Sequence, residues 1–308
     1  GKMTLPELGK RGYPQDITIG SLAGAGTLGL LIPPSIIMIV YVVAADVSIA
    51  KLFIAGVLPG ILLAALFSGY LMAWALMNPG KVPRPDRVMS LGERLHESRH
   101  LIPVVILIAA VLGSIYTGVA TATEAAAVGV VGSLLLSLVQ GSLNWQTFRD
   151  SLMGATRLYC MIALILAGAA FLTLSMGYIG LPRHLAEYIS GLGLSPFVLV
   201  VALALFFIVL GCFMDGISIV VLTMGVLLPT VQAAGIDLIW FGIFVVVVVE
   251  MAQITPPVGF NLFVLQGMTG KDIAYIARVT MPFFFLMCLM VLLLWFFPGI
   301  ATWMPGHM

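Results

Sequence analysis

The chain has 308 residues, of which 61% are hydrophobic and 9% charged, with a formal net charge of +1. Soluble domains run at roughly 45–50% apolar and about 25% charged residues, and a fold of this size cannot hide so much extra apolar surface from water. The figures leave little room for a soluble enzyme, a nucleic-acid binder or a disulfide-stapled secreted domain, and describe an all-α polytopic membrane protein.

About 20 apolar residues cross a bilayer as a helix, and such runs follow one another along the chain. Residues 1–16 are polar and basic. Residues 17–45 form an apolar run interrupted at Gly24-Ala25-Gly26 and at Pro33-Pro34, which predicts a broken helix. A long span at 50–77 follows. Residues 79–100 are polar and carry Lys81, Arg84, Arg87, Arg94 and Arg99. Two more spans fill 101–118 and 122–139. Residues 144–157 set Trp145, Phe148 and Leu152 against Gln146, Arg149 and Asp150, the pattern of an interfacial helix ahead of a span at 158–177. Residues 195–228 break at 211–216 into arms too short to cross alone, which predicts a re-entrant hairpin with its tip in the membrane. Residues 238–267 form a second broken helix, interrupted at Thr255-Pro256-Pro257, and 279–300 is the last span.

The sequence also repeats. Shifted by 223 positions without gaps, Leu5 falls on Leu228, Pro6 on Pro229, Gly12 on Gly235, Pro33-Pro34 on Pro256-Pro257 and Pro59 on Pro282. These residues punctuate helices, so the match concerns architecture rather than general apolarity. It predicts two structural repeats with a site at the breaks. Residues 1–78 are the remainder of the first repeat, 79–100 a basic cytoplasmic loop and 101–308 the second repeat. By that symmetry, roughly 120 residues of the first copy precede Gly1. Counting crossings from a cytoplasmic start leaves only Lys51 and Arg183, of the 14 Lys and Arg, outside. The repeats then run in opposite senses, and the C-terminus is periplasmic.

A broken helix leaves backbone carbonyls and N–H groups unpaired at mid-depth, and it persists where those groups line a polar site. Carbonyls attract small cations and helix N-termini attract carboxylates. The candidate residues at the first break are Gly24, Gly26, Thr27, Pro33, Pro34 and Ser35. At the second they are Gln253, Thr255, Pro256, Pro257 and Asn261. None of these titrates, which favours Na⁺ over H⁺ as coupling ion. Gly211, Asp215 and Gly216 mark the hairpin tip, where Asp215 is a cation ligand, a cap on the second arm, or both. Glu250 is a coupling carboxylate, or it faces water or a partner subunit. Glu124 reads as an acid at a helix N-terminus. Gly20xxxGly24 and Gly56xxxGly60 read as close helix contacts. Cys160, Cys212 and Cys288 have no metal spacing and read as small buried hydrophobes. The four histidines form no cluster, and His184 reads as solvated. The sequence suggests no cofactor and no transition metal.

The stretches Gly26-Thr-Leu-Gly-Leu-Leu-Ile-Pro-Pro-Ser35, Phe213-Met-Asp215 and Ile254-Thr-Pro-Pro-Val-Gly-Phe-Asn-Leu-Phe263 resemble the large membrane subunit of TRAP (tripartite ATP-independent periplasmic) transporters, of the C4-dicarboxylate/sialic acid permease type. The resemblance covers essentially the whole chain. It implies an elevator-type ion-transporter fold with inverted repeats, each with a hairpin and a broken helix. It also implies Na⁺-coupled uptake of an organic acid. The implied partners are a periplasmic substrate-binding protein and a small four-helix membrane subunit, in a bacterial or archaeal cytoplasmic membrane. Carried onto this chain, 24–35 and 253–257 are the unwound helices and 211–216 the second hairpin tip. The first hairpin lies upstream of Gly1, so these residues alone should not transport. Glu250 stands where the resemblance leads one to expect a neutral polar residue. The moving body is expected to carry 17–45 and 195–268 against a scaffold of 50–77, 101–139 and 279–300. A stand-alone Na⁺/dicarboxylate symporter of the same superfamily, needing no binding protein, is the alternative. An intramembrane enzyme lacks a catalytic Ser/His, paired Asp or metal-ligand set. A passive channel is disfavoured by the two breaks.

Overall fold

The computed structural model of the chain describes residues 4–83, 92–93, 98–256 and 259–307. Among them the regular elements are all helical. They are α1 (Thr4–Lys10), α2 (Gln15–Leu31), α3 (Ile36–Ala45), α4 (Ile49–Met77), α5 (Ile102–Tyr116), α6 (Ala122–Val139) and α7 (Trp145–Ile179). There follow α8 (Leu181–Gly191), α9 (Pro196–Gly211), α10 (Gly216–Ala233), α11 (Leu238–Gln253), α12 (Phe260–Thr269) and α13 (Ile273–Phe296). Among the described residues five helices are long and apolar enough to cross a membrane, and α2 with α3, bent by 41°, makes a sixth if the pair is one span. The protein is an all-α polytopic membrane protein.

Short polar residues start these helices. Ser48, Ser195 and Asp237 accept the backbone N–H of the residue three positions on, and Asp272 accepts that of Ala274. Thr121 and Glu124 form a reciprocal capping box at the start of α6, so Glu124 is the helix-terminal acid expected.

Contacts divide the chain into two units, Gly1–Pro83 with Ile165–Met308, and Arg84–Leu164. In the smaller unit α5 and α6 pack together, with Leu107 seated over Gly132. The larger unit is built around α11, in which every residue from Trp240 to Gln253 is buried. Its partners include α2, α3, α4, α9, α10 and α13. Trp240 donates from Nε1 to the Leu294 carbonyl (2.9 Å), and the Tyr41 hydroxyl donates to the Leu238 carbonyl (2.7 Å).

Lipid removes most of the hydrophobic drive for one helix to meet another, so close packing of small residues takes over. A Cβ on Gly20 would lie 2.4 Å from the Val279 carbonyl oxygen, and one on Gly24 equally close to Phe283. A Cβ on Gly56 would meet Met38, and one on Gly60 would meet Ile32. Both glycine pairs are the close contacts expected.

Four expectations change. Residues 24–26 are not a break: α2 is continuous to Leu31, because a glycine helix face that packs tightly on α13 has no reason to unwind. The interfacial helix and following span are one helix of 35 residues, about 52 Å at 1.5 Å per residue. Nothing between 145 and 179 breaks it. Helix α8 was not anticipated; its signal is the Arg183–Glu187 pair one turn apart. Finally, α13 begins at Ile273, which puts Arg278 inside the helix.

Helix bounds recur at the offset seen in the sequence. Adding 223 to α2 gives 238–254, and α11 is Leu238–Gln253; adding it to α3 gives 259–268, and α12 is Phe260–Thr269. Pro59 lies inside α4 and Pro282 inside α13. Gly12 and Gly235 both take positive φ, +80° and +71°.

Candidate functional site

Proline chemistry makes the first break. Helix α2 closes when the Ile32 N–H donates to the Leu28 carbonyl (2.9 Å). Pro33 and Pro34, joined by a cis bond, then have no N–H to offer the carbonyls of Gly29 and Leu30. The chain restarts at Ser35, which is buried and accepts the Met38 N–H at the start of α3. Thr27 is fully buried, and its hydroxyl donates within its own helix to the Gly24 carbonyl (2.7 Å).

The second break follows Gln253. The Thr255 hydroxyl donates back to the Met251 carbonyl (2.6 Å), and the Gly259 N–H donates to the Thr255 carbonyl (3.1 Å). A Cβ on Gly259 would lie 2.6 Å from the Gln253 carbonyl oxygen and 2.8 Å from that of Thr255. Only a glycine lets the chain fold back onto those two carbonyls. Pro257 lies outside the described residues.

Between α9 and α10 the chain turns at 212–215, where the hairpin tip is expected; α10, with 18 apolar-rich residues, is by itself long enough to cross a membrane, so the expectation that neither arm could cross alone holds only for α9. Asp215 is exposed, and its carboxylate accepts the N–H groups of Ile217 (3.1 Å) and Ser218 (3.2 Å) and the Ser218 hydroxyl. Of its two expected roles, the structure displays the cap.

The tip sits on the second break. The Cys212 thiol donates to the Pro256 carbonyl (3.2 Å). A Cβ on Gly211 would meet Ala252 at 2.2 Å. One on Gly216 would meet Val249, Gln253 and, from α3, Ile37, each within 3.1 Å. Hairpin tip, end of α11 and start of α3 therefore converge, with Ser35 two residues from Ile37. On another side Gly26 faces Asn261: its Cβ position is 3.6 Å from the Asn261 amide nitrogen, which is buried with no hydrogen-bond partner among the described residues.

Among the expected residues, Gly211, Gly216, Gln253, Thr255, Pro256 and the Ser35 turn come together. Gly26 and Asn261 pair separately, and Gly24 turns away to pack on Phe283. Gln253 spends its side chain against the tip. The sequence reading missed Cys212 and Gly259. A lone cysteine carried no signal, and the glycine after Thr-Pro-Pro-Val was the one available for Gly259. Of the other cysteines, Cys160 is exposed, against expectation, and Cys288 half-buried. Carbonyl oxygens, hydroxyls and an amide gather at the breaks, a donor set for a small hard cation, while the amides starting α3 and α12 suit an anionic group, those starting α10 being taken by Asp215. Among the described residues no group of three His, Cys, Asp or Glu could hold a metal.

Residues 1–300 match the family model described as "Tripartite ATP-independent periplasmic transporter, DctM component". The chain is 33% identical to a C4-dicarboxylate TRAP transporter large permease protein DctM of Pseudomonas aeruginosa, over 99% of this chain and 71% of that one. It is 33% identical to the ectoine/5-hydroxyectoine TRAP transporter large permease protein UehC of Ruegeria pomeroyi, over 99% and 71%. To the isethionate TRAP transporter permease protein DctMQ of Oleidesulfovibrio alaskensis it is 30% identical, over 99% of this chain and 48% of that one.

Proposed function

The chain belongs to the DctM family of TRAP-transporter large permeases, and on that premise we propose that it takes up a small organic anion by coupling to an inward Na⁺ gradient. The substrate is an organic acid such as a C4-dicarboxylate, delivered by a periplasmic binding protein, and a small membrane subunit completes the assembly. The relatives' names span C4-dicarboxylates, isethionate and ectoine, which supports a shared translocation site with the choice of substrate lying largely in the binding protein.

The observation that carries the reading is the seating of the hairpin tip on the second break, through Cys212 on the Pro256 carbonyl and Gly216 against Gln253 and Ile37. Na⁺ is held by the freed carbonyls of Gly29 and Leu30 with Ser35 in one half, and by Thr255 and the Pro256 carbonyl in the other. A substrate carboxylate lies against the half-helix N-termini, with the unpartnered Asn261 amide as a further donor. The two halves are inverted repeats, the 79–100 loop is cytoplasmic and the C-terminus periplasmic, in keeping with the distribution of Lys and Arg.

Transport proceeds by an elevator movement. In this reading the moving body also takes in α4 and α13, which the resemblance assigns to the scaffold. Gly20 and Gly24 lock α2 to α13, and Gly56 and Gly60 lock α4 to the first break, at separations that leave no room to slide.

The test is uptake into proteoliposomes holding the full-length subunit and its small partner, with and without the binding protein. Labelled succinate, isethionate and ectoine are the probes. Uptake that needs both Na⁺ and the binding protein is the expected result. Uptake with Na⁺ alone would instead mark a stand-alone symporter, and flux indifferent to Na⁺ would overturn the coupling.

A further inference from the structure

Glu250 is the only Asp, Glu, Lys or Arg buried among the described residues, with 1% of its surface exposed. Among the described residues neither of its carboxyl oxygens has a hydrogen-bond partner. It belongs to the last turn of α11, three residues before the break.

Among the described residues, the helices around α11 supply nothing to neutralise it. On α2 the only charged residue is Asp16, on α4 Lys51 and on α13 Arg278, and all three are exposed. Helices α3, α9, α10 and α12 and the short helix Gly299–Thr302 carry none, and Asp215, just before α10, is exposed and caps that helix. The other titratable groups on these elements do not reach it. The Tyr41 hydroxyl is committed to Leu238, at the opposite end of α11, and the Cys212 thiol to Pro256. Tyr70 on α4 and Tyr275 and Cys288 on α13 make no hydrogen bond to it.

An ionised carboxylate in so dry a place is among the most costly groups a membrane protein can hold, and it persists only when paired or neutralised. A metal cation would need several oxygens around it. The side chains one turn away on α11 are Val246, Val247, Gln253 and Ile254, and Gln253 is turned to the hairpin tip. A proton needs no oxygen beyond the carboxyl's own. The hairpin tip packs on the same last turn of α11, Gly211 against Ala252 and Gly216 against Val249 and Gln253.

We propose that Glu250 is a proton-binding site of this permease, neutral while the hairpin tip is seated and exchanging its proton with water when the tip lifts from the end of α11. The carboxyl takes its proton from water on one side and returns it to water on the other. No other group is consumed. The step adds a proton to the coupling proposed above and rests on that reading only for its role in transport.

Infrared spectroscopy on the purified full-length subunit tests the protonation without any transport. The wild type should show the carbonyl band of a protonated carboxylic acid, shifted in D₂O, and Glu250→Gln should lack it. Absence of the band from the wild type at neutral pH overturns the proposal. In proteoliposomes at a fixed Na⁺ gradient, wild-type succinate uptake should fall about tenfold for each pH unit above the titration midpoint, and Glu250→Gln should lose that dependence. Coincident pH profiles overturn the proposal and leave Glu250 a buried acid with a packing role. Should Glu250→Gln fail to fold, Glu250→Asp must shift both the band and the uptake midpoint, and an unchanged midpoint overturns it. Should no probe be taken up, the proposed function fails. The band then decides alone: its loss as pH rises supports proton exchange, and its invariance overturns it.

Discussion

At the scale of single residues, the glycines and one aspartate do the most identifiable work. Gly24 admits the ring of Phe283 at a distance no Cβ tolerates. Gly24→Val should therefore cost about 1–3 kcal/mol by overpacking, read as a lower melting temperature in detergent. Gly26, open apart from Asn261, should accept Ala with little change in stability. Asp215→Ala should cost about 1 kcal/mol through loss of its cap, while Asp215→Asn, which can still accept the N–H groups of Ile217 and Ser218, should be close to neutral. An equal loss in both would instead mark a role for the negative charge itself. The cap was one of the two roles legible in the sequence, because an acid just before a helical run can cap that helix as well as hold a cation. The thiol contact of Cys212 was not, because its partner carbonyl stands 44 residues away along the chain.

At the scale of elements, the breaks repay attention more than the spans. Pro33-Pro34 and Thr255-Pro256 stop their helices because proline cannot donate, and that could be read directly from composition. The fold-back after the second break depends on Gly259, whose missing Cβ leaves room for the Gln253 and Thr255 carbonyls. Gly259→Ala should keep the helix content, measured by circular dichroism, and abolish uptake. A variant that transports normally would mean that these carbonyls are not part of the site. The Gly24-Ala25-Gly26 stretch misled for an equally physical reason. In membrane helices glycine serves close packing as readily as it serves unwinding, and only the position of Phe283 tells which.

At the scale of the whole molecule, the packing of α2 on α13 and of α4 on the first break bears on which parts move together. Covalent tethers between α2 and α13 should leave uptake intact, measured in the same proteoliposomes against untethered protein. Arrest by such a tether would return α13 to the scaffold. The sequence by itself determined the membrane class, the helical composition, the recurrence at 223 residues and the positions of the proline breaks. Those features follow from local chemistry: apolar runs must be helical in lipid, and each proline withholds a donor from its helix, which Pro59 and Pro282 survive singly inside α4 and α13 and the Pro33-Pro34 pair does not. Only the tertiary structure decided which glycines pack and which leave space, that the turn at 212–215 packs on the second break, and that Glu250 is buried beside it with no partner among the described residues. Those are relations between segments distant in sequence. They are set by which surfaces meet, and one chain read end to end does not contain that choice in any local pattern.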